Sequence, residues 1–274
     1  NPATKIIEDF MLAANETVPQ DYFWQEIPFV YRTHEVPDTE KIKKLSTFIN
    51  NFGYHIHMGS DEVHPKELQK LLAKIEDTPV EGLISRLTLR SMKQAKYSVE
   101  CVGHFGLAAQ YYCHFTSPIR RYPDLQIHRI IKDSLRGRMN EKRMEHYWKI
   151  LPGVAQQASQ LERRADEAER ETIKMKKVEY MESRIGNEYE GVISGITNYG
   201  LYVELPNTVE GMVHVTTLRG DYYNYIESTY EMVGENTGKS YKLGQTVKIR
   251  VIGTDKLVRR IDFELVDPKK EEEF

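Results

Sequence analysis

The sequence predicts an α+β fold: a mainly helical part to residue 184, then a five-stranded β-barrel of OB type over residues 185–266. Two observations carry this expectation. Up to about residue 183, apolar side chains recur at three- and four-residue spacing, as in helices that bury one face. From Gly186 the period changes to two, and residues 189–196, 199–205, 210–215, 245–252 and 260–265 alternate with glycines between them. Five short strands in so short a span suit a Greek-key barrel. Residues 267–274 are charged and are expected to form a disordered tail.

Each helix has its own signals. Residues 4–16 place Ile6, Ile7, Phe10, Met11 and Ala14 on one face, followed by an irregular aromatic segment around Tyr22, Phe23, Trp24 and Phe29. The chain thus starts inside a helical pattern, which reads as the middle of a domain. Pro37 and the caps Asp38 or Thr39 open a second helix with Ile42, Leu45, Phe48 and Ile49 buried. Pro65 opens a third, carrying Leu68, Leu71, Leu72 and Ile75. A fourth is expected over 81–96, with Arg86, Arg90, Lys93 and Lys96 forming a basic stripe; such a stripe is usually a solvated face, but its closeness in sequence to Arg120 and Arg121 favours one that faces an anion. A fifth follows Pro123 and stops at Gly137. A sixth, over 154–183, has a narrow seam of Val154, Ala158, Leu161, Ala165 and Ala168 on an otherwise charged strut.

Composition excludes some classes. The 274 residues carry a net charge of −3, so nucleic-acid binding would rest on local patches rather than bulk charge. No apolar run approaches the ~18 residues that span a bilayer, and residues 1–5 lack the apolar core of a signal peptide. Cys101 and Cys113 are the only cysteines and form no Cys-x-x-Cys, which fits a reducing, cytoplasmic setting with no membrane partner. His55, His57 and His64 with Asp61 match no standard zinc spacing, and no metal ligand is assigned.

The densest chemistry lies at residues 114–124, His-Phe-Thr-Ser-Pro-Ile-Arg-Arg-Tyr-Pro-Asp. Pro118 and Pro123 bias Ser117 and Tyr122 toward extended backbone and hold Arg120 and Arg121 on a stiff, non-helical segment. Fixed guanidiniums suit bidentate phosphate binding, and Phe115 and Tyr122 offer faces for bases. The same residues also describe a well-packed turn with two surface arginines, and by themselves they leave both readings open.

Five stretches in order give a family resemblance: residues 7–15 (Ile-Glu-Asp-Phe-Met-Leu-Ala-Ala-Asn), 89–95 (Leu-Arg-Ser-Met-Lys-Gln-Ala), 104–108 (His-Phe-Gly-Leu-Ala), 116–124, and 162–168 (Glu-Arg-Arg-Ala-Asp-Glu-Ala). Together they resemble the C-terminal part of the ribonuclease R branch of the ribonuclease II family, processive 3′→5′ exoribonucleases that act on single-stranded and structured RNA. The final strands resemble the RNA-binding repeat first described in ribosomal protein S-one. The resemblance implies two Mg²⁺ ions held by four aspartates, since hard cations need carboxylate oxygens. No Asp-x-Asp-Asp run occurs in this sequence, so those ligands are expected in a missing N-terminal part, and this stretch by itself is expected to be inactive.

Residue by residue, the resemblance makes Arg120 the catalytic arginine on the scissile phosphate and Glu8 a holder of the 3′-terminal ribose. Arg121, Tyr122, His128 and Arg129 flank that site and are expected in phosphate-binding or structural roles, with Arg90 and Lys93 as further expected RNA contacts. In the barrel, Tyr199, Tyr202 and His214 are expected to stack on bases, with a Lys248/Arg250 patch beside them, because residues 185–265 hold eight basic against eleven acidic residues. The expected partners are RNA 3′ ends, with the ribosome or the mRNA-decay machinery as further candidates, and the intact enzyme is expected to be monomeric. The competing expectation is a non-catalytic RNA-binding module.

Overall fold

The computed structural model describes residues 1–59, 63–78, 80–227 and 229–266, so Asp61 and the expected tail lie outside the described residues. The chain divides into two compact units, Asn1–Lys74 with Leu87–Ala165, and Ile75–Arg86 with Asp166–Phe274.

In the first unit, helix α1 (Pro2–Trp24) is capped by the Asn1 side chain and has Pro2 in its first turn. It runs past the expected end at 16 and through Pro19, because the aromatic segment packs as helix: Tyr22 is buried and stacks on Phe29 at 5.3 Å. Strand β1 (Tyr31–Thr33) precedes α2 (Thr39–Asn50), whose cap is Asp38, accepting from the Glu40 and Lys41 amides. Helices α3 (Pro65–Ile75) and α4 (Glu81–Ser91) follow.

The fourth helix stops before 96. Strand β2 (Lys96–Ser98) pairs antiparallel with β1, and the predicted basic stripe is therefore not one helix face. Helix α5 (Tyr122–Leu135) ends near Gly137, which takes φ +63° as expected of a glycine after a helix. Helix α6 (Glu141–Glu182) begins 13 residues before the expected 154 and continues through Pro152. Burial holds it there: Tyr147 and Leu151 join Tyr22, Phe29, Ile127 and Ile130 in one core.

The second unit is built on β3 (Glu188–Thr197), β4 (Gly200–Glu204), β5 (Glu210–His214), β6 (Tyr223–Ile226), β7 (Glu231–Gly234), β8 (Ser240–Lys242), β9 (Thr246–Asp255) and β10 (Arg260–Leu265). Five of these close a barrel in the order β10-β5-β4-β3-β9, with β10 parallel to β5, and they are the five strands read from the sequence. Inward positions Ile193, Leu201, Val203, Val213, Ile249, Val251 and Phe263 fill it. Strands β6–β8 form a separate three-stranded sheet that the sequence reading missed. Its strands are only three or four residues long and so show no clean apolar period; half-buried Tyr223 packs on buried Tyr241, ring to ring at 5.5 Å.

Gly211 lets β5 approach β10, since a Cβ there would lie 2.5 Å from the Phe263 ring. Gly211→Ala is expected to destabilise the protein by about 1–3 kcal/mol in urea denaturation. Gly153→Ala, in helix α6 with open space around it, is expected to stabilise it by about 0.5–1 kcal/mol.

Candidate nucleic-acid interface

The segment before α5 is held by hydrogen bonds from outside itself. Asn15 of α1 is buried; its Oδ1 accepts from the Phe115 amide at 3.0 Å, its carbonyl accepts from the Cys113 amide at 2.9 Å, and its Nδ2 donates to Tyr112 Oη at 3.2 Å. Glu8 lies seven residues earlier, on the same face of α1 and about 10 Å along its axis, and is exposed.

Residues 117–121 turn tightly, with the Arg120 and Arg121 amides donating to the Ser117 carbonyl at 3.3 and 3.1 Å. The expectation of extended backbone fails at Tyr122, which opens α5 instead. Proline is tolerated in a first helical turn because the amide it lacks would have no partner there.

Asp124 fixes this turn. Its carboxylate is fully buried, and Oδ2 accepts from the Ser117 amide at 2.8 Å and from Arg121 Nε and Nη2 at 3.2 and 2.8 Å. Asp124 Oδ1 and Thr116 Oγ1 are buried with no hydrogen-bond partner among the described residues. The two arginines are thereby separated in role. Arg121 is committed to Asp124, whereas Arg120 is exposed and has no ion pair among the described residues.

The flanking groups are also divided. His128 stacks on Phe115 at 4.4 Å, and its Nε2 donates to the Phe115 carbonyl at 3.0 Å, so one face of each ring is already taken. Tyr122 is 51% exposed, and the Arg129 guanidinium lies 5.8 Å over its ring. His114 Nδ1 meets Tyr97 Oη at 2.9 Å, and burial, then the Arg121 and Arg32 charges, pull its pKa down to about 3. His104 is pulled down to about 4 by burial and by His34. Both are neutral near pH 7.

Several expected basic contacts are occupied. Lys93 and Lys96 both pair with Glu35, at 3.1 and 2.5 Å, and these two hydrogen bonds hold its carboxyl below the usual range. Arg90 is exposed. Arg86, in the barrel unit, pairs with Glu204 at 2.5 Å.

In the barrel, Tyr199 is 71% exposed at the β3–β4 turn, and Tyr202 and His214 are half-buried on β4 and β5, on the outer face that alternates with Leu201 and Val213. The Lys248/Arg250 patch does not stand free. Glu188 and Glu264 lie opposite Arg250 in the strand register, and Arg250 pairs with both, at 2.5 and 3.1 Å, while Lys248 pairs with Glu188 at 2.9 Å.

The RNB domain profile matches residues 1–137, half of the chain, and the S1 RNA binding domain profile matches 182–265. The chain belongs to the RNB family. It is similar to Ribonuclease R 1 of Lactococcus lactis, 45% identical over 96% of this chain and 32% of that protein. Ribonuclease R of Thermotoga maritima is 44% identical over 98% of this chain and 38% of its own length. The RNB chain thus spans about a third of the length of the curated relatives it matches. Among solved structures, Mycoplasma genitalium RNase R in complex with ribose methylated single-stranded RNA superposes with a TM-score of 0.90 at 27% identity, over 96% of this chain and 42% of that one. Yeast Ssd1, described as a pseudonuclease, shares the fold at 24% identity and TM-score 0.67, over 83% of this chain and 28% of its own.

Asp124→Asn keeps one acceptor oxygen but removes the buried charge that balances Arg121, and adds an NH2 donor to the site. It is expected to cost about 3–5 kcal/mol in urea denaturation, the scale for breaking a buried pair. The two low imidazole pKa values give a second expectation. Between the ordinary histidine value of 6.5 and about 4 for His104 or about 3 for His114, the unfolded chain takes up protons that the folded one refuses. Stability therefore falls as pH falls through that window. The melting temperature is expected to drop from pH 7 to pH 5, and by less in His114→Gln.

Proposed function

We propose that this RNB chain is part of a magnesium-dependent, processive 3′→5′ exoribonuclease that hydrolyses single-stranded and structured RNA to 5′-mononucleotides. The observation that carries this reading is Arg120, an exposed guanidinium without an acidic partner among the described residues, on a turn fixed from below by a buried carboxylate. A preorganised cation of this kind suits a scissile phosphate, where negative charge grows in the transition state. Glu8 would hold the terminal ribose, and Tyr199, Tyr202 and His214 would stack on bases upstream. RNA 3′ ends are the proposed partner, and a monomeric, cytoplasmic enzyme is the proposed setting. The similarity to ribonuclease R of several bacteria supports this assignment.

The metal finds no place in the described residues. Among them no three His, Cys, Asp or Glu side chains are grouped to hold an ion. Asp124 is engaged by Arg121, and Asp133 by Arg143 at 2.6 Å. The part proposed for this chain is to bind, orient and neutralise the phosphate.

A chimera tests the proposal: this chain replaces the matching third of Thermotoga maritima ribonuclease R, and 5′-labelled RNA is followed with Mg²⁺ present. Stepwise 3′→5′ shortening is expected. Arg120→Ala is expected to lower turnover about 10²–10³-fold while RNA affinity changes only a few-fold. Equal loss of affinity and turnover would assign Arg120 to ground-state binding. RNA bound but not shortened by the chimera would favour the non-catalytic module.

A further inference from the structure

Helix α5 carries a second feature that the Arg120 turn does not use. Tyr122, Arg129 and Arg136 recur every seven residues, which returns them to one side of the helix within about 20° per step. Lys132 lies beside that line, and half-buried Leu125 shares it. Tyr122, Arg129, Lys132 and Arg136 are all exposed. Among the described residues none of these three cations is paired with a carboxylate. The acid nearest the stripe in sequence, Asp133, is taken by Arg143 at 2.6 Å and by the Tyr147 hydroxyl at 2.8 Å. Arg129 rests against the Tyr122 ring and donates to Gln126 Oε1 at 3.4 Å, so its guanidinium is steadied without being neutralised.

We propose that this face of α5 is a binding track for the phosphodiester backbone of an RNA strand, leading away from the Arg120 turn toward Arg136. The proposal rests on the RNA-degrading reading above and adds a contact surface to it. From Tyr122 to Arg136 the track is about 21 Å long, at 1.5 Å per residue. With about 3.4 Å per stacked nucleotide, it spans about six nucleotides. Its chemistry fits a polyanion with bases: three unneutralised cations in line, and at the head an exposed aromatic ring on which a base can stack. The plainer role for basic residues near a helix C-terminus is to balance the macrodipole. That role accounts for Lys132 and Arg136, but not for Arg129 at the middle of the helix or Tyr122 at its start. An acidic protein would need the same cations but not the ring, and the continuity with Arg120 favours RNA.

The test is fluorescence anisotropy of 5′-labelled oligouridylates of increasing length, at several salt concentrations, with the whole chain. The triple variant Arg129→Ala, Lys132→Ala, Arg136→Ala is expected to flatten the slope of log affinity against log salt by about 2, at ~0.7 per lost phosphate contact on a single strand. The oligomer length at which affinity levels off is expected to shorten by several nucleotides. If the triple variant melts early, Lys132→Gln with Arg136→Gln, both on the surface, should flatten the slope by about 1.4. RNA binding by the unaltered chain with an unchanged slope in the variants overturns the track alone. A variant that loses binding to polyglutamate but keeps the RNA slope also overturns it, in favour of an acidic protein. An unaltered chain that binds no RNA overturns the functional reading itself, and the track with it.

Discussion

The buried Asp124 carboxylate organises the candidate site. The turn at residues 117–121 belongs to neither a helix nor a sheet, so its shape depends on hydrogen bonds that cross it. Asp124 supplies them from the first turn of α5, where a negative charge is favoured by the helix N-terminus. Burying that charge would be costly alone; Arg121 and the Ser117 amide offset the cost by converging on one oxygen. Because Arg121 is consumed in this way, the adjacent Arg120 is left exposed, with no ion pair among the described residues. The neighbouring arginines divide the work, one holding the turn and the other available to a phosphate.

Pairing of charges governs the rest of the surface as well. A chain with net charge −3 has acids enough to neutralise most of its basic residues, and helix spacing, strand register and the meeting of distant segments decide which ones. Glu35 absorbs Lys93 and Lys96, while Glu188 and Glu264 absorb Lys248 and Arg250. Among the described residues, Arg120 and the cations of the α5 face are exposed without a carboxylate partner, and the barrel exposes Tyr199. Stacking tolerates any base, so such a barrel surface can hold RNA without sequence preference and without a strong positive field.

Much of this was legible in the sequence, for identifiable reasons. The six helices and the five barrel strands announced themselves because amphipathic periods are local, and caps such as Asp38 or the stop at Gly137 are local too. The errors lie where long-range packing outweighs local signals. Pro19 and Pro152 look like breaks, but buried Tyr22, Tyr147 and Leu151 carry the helices through them. Lys96 looks helical until β1 is there to pair with it. The β6–β8 sheet was missed because strands of three or four residues are too short for a period-two pattern to stand out.

By itself, the sequence determined the α+β organisation and the family motifs, and it singled out residues 114–124 as the candidate site. Each of these depends on residue order over a few turns or on a contiguous motif. Only the tertiary structure decided which charges are free. An ion pair such as Arg121–Asp124 could be guessed from its three-residue spacing, but Arg250 with Glu188 and Glu264 depends on strand register, and Lys93 with Glu35 on the folding of distant segments. Whether a basic residue can meet a phosphate is set by what already neutralises it, and that is a property of three-dimensional proximity rather than of residue order.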